Sequence, residues 1–100
     1  MKSLTGVIDL FSQKLEFVLS DNDTKEELET IQISGNNIEK DLYEAIVKNN
    51  VSNINLIGGP IQYTEKIQSN LKKMLKTNSL FSNVTVKVFS LKGIDLSNNK

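Results

Sequence analysis

Residues 54–62 read Ile-Asn-Leu-Ile-Gly-Gly-Pro-Ile-Gln, an apolar run that stops at a Gly-Gly-Pro turn just ahead of a strongly patterned amphipathic segment. Adjacent glycines carry no Cβ, so the backbone at Gly58 and Gly59 can come close to another group. In open α/β sheets ligands sit just beyond the carboxyl ends of strands, and helix N-termini attract anions. The spacing therefore offers either a phosphate cradle at Gly58 and Gly59 or a tight turn with no ligand. Lys66, Lys72, Lys73 and Lys76 follow on the next segment. They form either a nucleic-acid-binding surface or the solvated face of an amphipathic helix. Tyr63 is near them, but Phe81 and Phe89 read as core, so no stacking platform for bases accompanies the lysines.

The residue inventory narrows the chemistry. The chain has no His, Cys or Trp, which excludes imidazole bases, thiol nucleophiles, Cys/His zinc sites and disulfide staples. Carboxylates, Lys, Tyr, Ser, Thr or a bound metal remain. All twelve cations are Lys; without Arg, bidentate contacts to phosphates and base edges are lost, although Lys still neutralises phosphates. An AT-rich coding sequence explains the missing Arg equally well. Net charge is zero, yet residues 1–50 hold ten carboxylates and five Lys while residues 51–100 hold two carboxylates and seven Lys. The two ends should attract each other or separate partners. No apolar run is long enough to span a bilayer, and Asp9 interrupts the N-terminal one, which argues against a signal peptide. The expectation is one cytoplasmic domain over residues 1–96 with a frayed tail at 97–100, no membrane partner, and a possible homodimer.

Hydrophobic periodicity supplies the elements that position these residues. Residues 4–10 and 14–20 read as two strands of a hairpin linked by Phe11-Ser-Gln13. Residues 21–27 read as a polar acidic loop, and the acidic stretch 21–29 is either solvated, a mimic of nucleic-acid phosphates or a dock for a basic partner. A third strand covers 28–33. Asn36 with Glu39 matches a capping box ahead of a helix whose apolar face is Ile38, Leu42, Ala45 and Ile46, ending at Asn49-Asn50. Residues 53–57 form a central strand, 64–76 a helix with an Ile67, Leu71, Met74, Leu75 stripe, and 84–89 a fifth strand. The order is β-β-β-α-β-α-β. Right-handed crossovers place the fourth and fifth strands parallel to the first. The expected fold is α/β, ribonuclease H-like: a mixed five-stranded sheet with two crossover helices.

Ile8-Asp-Leu-Phe-Ser-Gln-Lys-Leu-Glu-Phe-Val-Leu-Ser-Asp21 resembles the opening hairpin of the YqgF/RuvX family of Holliday-junction-resolvase-like nucleases, with Asp9, Ser12, Ser20 and Asp21 in register. Leu28-Glu-Thr-Ile31 is similar to that family's next strand, Gly58-Gly-Pro-Ile-Gln62 to its Gly-Leu-Pro-Leu-Asn turn, and Tyr63-Thr-Glu-Lys-Ile67 to the start of the following helix. The likeness runs over residues 5–89. Phe11 and Gln13 replace the family's Gly and Lys, and Ser90-Leu-Lys92 stands where it ends in Asp-Glu-Arg; Asp95 lies too late. Val7-Ile-Asp-Leu10 and Ile54-Asn-Leu-Ile-Gly-Gly-Pro60 also resemble the phosphate hairpin and adenosine turn of one lobe of actin-like and heat-shock ATPases. There Phe11 would crowd a phosphate, and only a homodimer would imitate two lobes.

The nuclease resemblance implies Mg²⁺ held by Asp9 and Glu65, with structured RNA or branched DNA as substrate. Two-metal hydrolysis needs several oxygen ligands converging on closely spaced ions, and no third carboxylate is evident. Asp9 is equally a strand-end carboxylate bonding turn amides, and Glu65 a first-turn Glu suited to the helix dipole. Three functions follow. The foremost is a non-catalytic binding module for a protein or nucleic acid, needing no cofactor. A YqgF/RuvX-type nuclease using Asp9 and Glu65 is second. A small phage-type inhibitor or assembly factor acting through a strand edge is third.

Overall fold

Period-two alternation builds three antiparallel strands from the first third of the chain: β1 (Lys2–Val7), β2 (Lys14–Asp21) and β3 (Glu27–Ser34). The computed structural model describes residues 1–9, 11 and 14–90. Leu10, Ser12, Gln13 and residues 91–100 lie outside the described residues, and with them the hairpin link, the Ser12 match, Asp95, the 96 boundary and the tail. Helix α1 (Ile38–Asn49), strand β4 (Val51–Ile57), helix α2 (Ile61–Lys76) and strand β5 (Thr85–Phe89) complete the order β-β-β-α-β-α-β. The architecture is α/β, with a mixed five-stranded sheet in the order β3-β2-β1-β4-β5. β1 pairs antiparallel with β2 and parallel with β4; β4 pairs parallel with β5.

Both helices lie on one face and meet through Asn70, whose Nδ2 donates to Glu39 Oε2 at 2.9 Å; just beyond the end of α2, Asn78 Nδ2 donates to the Tyr43 hydroxyl at 3.2 Å. Beneath them Leu4, Leu15, Phe17, Leu19, Ile33, Ile54, Leu56, Val86 and Val88 project from the strands against Leu42, Ile46, Ile67, Leu71 and Leu75. Gly6 is part of this layer because Phe17 lies across it: a Cβ there would come within 2.6 Å of the ring. The opposite face of the central strands carries a polar ladder. Asn55 Nδ2 donates to Thr5 Oγ1 at 2.9 Å, Asn53 Nδ2 to Ser3 Oγ at 3.2 Å, and Ser3 Oγ to Asn22 Oδ1.

Three local expectations are corrected. β1 starts at Lys2 and stops at Val7 instead of running over 4–10, because Lys2 and Ser3 pair with Asp21 and Ser20. The capping box does not form. Asn37 is the N-cap with no side-chain bond, Asn36 N–H donates to Ser34 Oγ, and Glu39 is drawn to Asn70. α2 begins at Ile61, directly after Pro60 in the N-cap position with φ −61°, so Glu65 lies beyond the first turn, which contains no acid. At the other end of α1 the expected stop holds: Asn50 adopts φ 55° and donates its N–H to Ile46 O.

Candidate functional site

The carboxyl ends of β1 and β4 lie side by side at Val7 and Ile57, and the Gly-Gly-Pro turn leaves from there. Ile8 N–H donates to Ile57 O at 2.8 Å and Gly58 N–H to Phe89 O at 2.9 Å, so the turn ties together β1, β4 and β5. Gly58 and Gly59 have φ 75° and 69°, the left-handed region that glycine enters without strain. Thr64, fully buried in the first turn of α2, donates its hydroxyl to Gly58 O at 2.7 Å. A Cβ on Gly59 would meet Thr64 Oγ1 at 3.0 Å and Ile8 O at 3.1 Å. The close backbone approach expected of the glycines is therefore made to the protein itself. Thr64, the pivot of this clasp, was missed as a functional residue; a lone Thr six residues after Gly58 carries no sequence signal.

Asp9 is exposed beyond β1, and its Oδ1 accepts the Phe11 N–H at 2.9 Å. This is the turn-bonding role. Glu65 is half-buried in α2. Among the described residues no group of three acidic side chains gathers closely enough to hold a metal ion. Asp9 and Glu65 come from separate elements, and among the described residues no third His, Cys, Asp or Glu joins them in such a group.

Asp21, in register with the nuclease hairpin, stands at the other end of the sheet, paired with Lys2. Its Oδ1 accepts the amides of Asp23 at 2.8 Å and Thr24 at 3.1 Å, closing a turn in which Lys25 takes φ 64°. The Thr24 and Asp23 amides hold the Asp21 carboxyl below its ordinary value, with smaller help from the N-terminal amine and Lys2. A lowered folded-state pKa stabilises the fold above the unfolded-state value of about 4 and loses that contribution as pH falls through the folded value. The stability gap between wild type and Asp21→Asn is expected to narrow as pH falls below about 4, measured by urea unfolding along a pH series.

Lys66, Lys72, Lys73 and Lys76 are all exposed and occupy one sector of roughly 120° on α2, opposite Ile67, Leu71 and Leu75. The acidic excess lies at the far edge. Residues 21–48 hold eight carboxylates and three lysines and build β3, α1 and their flanks. A groove separates β3 from α1, lined by Glu29, Ile31, Ile33, Asp41, Glu44 and Ala45. The sequence reading marked neither this groove nor its residues beyond Glu29 as a site.

Fold and site together define a small α/β domain with a self-bonded strand-end turn, one acidic sheet edge and one basic helix face. No helix among the described residues is long and apolar enough to cross a membrane. No protein-family model matches the chain, and no curated protein does. Among solved structures it is similar to the cytoplasmic domain of EpsL, an inner membrane component of the type II secretion system of Vibrio cholerae, at 11% identity and a TM-score of 0.43. That likeness covers 78% of this chain and 37% of the EpsL chain.

Proposed function

We propose that this chain is a small, non-catalytic binding module of ribonuclease H-like architecture that acts in the cytoplasm by contacting another protein. The observation that carries this reading is the internal bonding of the strand ends. Asp9 Oδ1 accepts the Phe11 amide, Gly58 is held by Phe89 and Thr64, and a Cβ on Gly59 would crowd Thr64 Oγ1 and Ile8 O. The strand order, antiparallel through β3, β2 and β1 and parallel through β1, β4 and β5, supports the architectural part. A nucleic-acid partner is the second reading, favoured by the four lysines on one face of α2.

Amide-resolved titration separates the readings. With MgCl₂ or MnCl₂ the module should show no shift at Asp9 or Glu65 and no cleavage of single-stranded or branched oligonucleotides. Metal-induced shifts at both residues with cleavage would restore the YqgF/RuvX-type nuclease. Salt-sensitive shifts confined to Lys66, Lys72, Lys73 and Lys76 on adding a single-stranded oligonucleotide would replace the protein partner by nucleic acid. Four phosphate contacts would then give a slope of log affinity on log salt near about −3.

A further inference from the structure

The two edges of the sheet are finished differently. At β5, α2 reaches over the edge and Gln68 Nε2 donates to the outward carbonyl of Val86 at 2.8 Å. At β3 the alternation turns Thr30 and Gln32 away from β2. Asp21 N–H points to β3, toward Glu26 O, so Leu19, Phe17 and Leu15 share that direction and pair with Glu29, Ile31 and Ile33. Ser34, in phase with Thr30 and Gln32, donates its amide to Asp41 Oδ2 at 2.9 Å instead of to β2. Asp41 thus stops the edge at one end. Among the described residues no hydrogen bond fills the outward amides and carbonyls of Thr30 and Gln32.

Beside this open edge lies the β3–α1 groove. Ile31 is half-buried and Ala45 buried at its floor, and Glu29, Asp41 and Glu44 stand along it against Lys48. A strand laid on β3 would send alternate side chains into the groove. Long cationic side chains fit there, with their methylene stems along Ile31 and Ala45 and their charged heads at the carboxylates. We infer that the β3 edge takes an extended segment of a partner protein, bearing Lys or Arg at alternate positions, as an added sixth strand. This rests on the binding-module reading and names its site and partner chemistry. Phosphate chains are repelled by the same carboxylates. A second copy offers no matching segment among its described strands, since β5 reads Thr-Val-Lys-Val-Phe with one lysine.

Selection from a display library of random eight-residue peptides, the length of β3, tests the inference. Enriched peptides should alternate basic with apolar residues and shift the amides of Thr30, Gln32 and Ala45. N-methylation of alternate peptide residues should weaken binding by roughly tenfold, while methylation at the intervening ones should have much less effect. Glu29→Lys with Glu44→Lys should abolish binding of the basic peptides, and Thr30→Pro, an outward-facing edge position where proline is tolerated, should block pairing. A retained amide spectrum in both variants shows that they fold. An empty selection, acidic or unpatterned peptides, or indifference to N-methylation would overturn the site, as would formation of a homodimer that occupies β3. Peptides that bind but shift α2 or the open sheet face overturn it too, yet leave the binding-module reading standing; metal-dependent cleavage sinks that reading whatever the peptides do.

Discussion

Phe17→Ala is expected to lower the free energy of unfolding by about 3–5 kcal/mol, measured as a fall in the urea midpoint at unchanged slope. A domain of this size has only about 5–15 kcal/mol in total, so the variant approaches the limit of folding. Phe17 is fully buried in the second strand of the sheet, and its ring fills the space that Gly6 leaves open across the β1–β2 pair. The pairing can be checked from the other side. Gly6→Ala pushes a methyl group within 2.6 Å of ring atoms that are not the free end of a flexible side chain. It should cost about 1–3 kcal/mol. Phe17→Leu should cost less in the Gly6→Ala background than in wild type, because the smaller side chain accommodates the new methyl.

The Gly6–Phe17 fit shows where sequence reading stops. The alternation of Leu15, Phe17 and Leu19 is visible in the chain, and so is the helical stripe of Ile67, Leu71 and Leu75; each follows from one element's own period. The element order and the parallel placement of β4 and β5 came from those periods and the handedness of crossovers. What failed to show depended on pairing between segments. Lys2 and Ser3 look polar enough for a loop until Asp21 and Ser20 bind them as strand. Ile61 and Gln62 are exposed and Tyr63 only partly buried against the core, so the sequence pattern puts the start of the helix at Thr64 and Glu65 in its first turn. The glycine turn was legible as a place of close approach, but not its occupant, because Thr64 and Ile8 reach Gly59 only through the fold. The open edge of β3 was equally hidden, since an unpaired amide is a property of the sheet order and leaves no mark on Thr30 or Gln32.

The clasp at that glycine turn gives the second large effect. Gly59→Ala must hold a side chain at φ 69° while its Cβ presses on Thr64 Oγ1 and Ile8 O. Left-handed strain of about 1–2 kcal/mol and crowding of similar size should together lower stability by roughly 2–4 kcal/mol. Thr64→Val keeps the shape but removes the hydroxyl, leaving the carbonyl of buried Gly58 without its 2.7 Å donor; the expected cost is about 1–3 kcal/mol. The two changes share one contact and should not add. The clasp joins β1, β4, β5 and α2 at one end of the sheet, whereas Thr30 and Gln32 lie on β3 at its edge, separated from β4 by two strands. At a temperature where both variants remain folded, peptide binding at β3 should therefore match wild type within about twofold, less than the loss of one hydrogen bond would cause. A phosphate or metal site at the glycine turn predicts a different outcome: Gly59→Ala would then abolish ligand-induced shifts at Asp9 and Glu65 in the folded protein. Measuring stability and binding on the same two variants thus distinguishes a turn that holds the sheet together from one that holds a ligand.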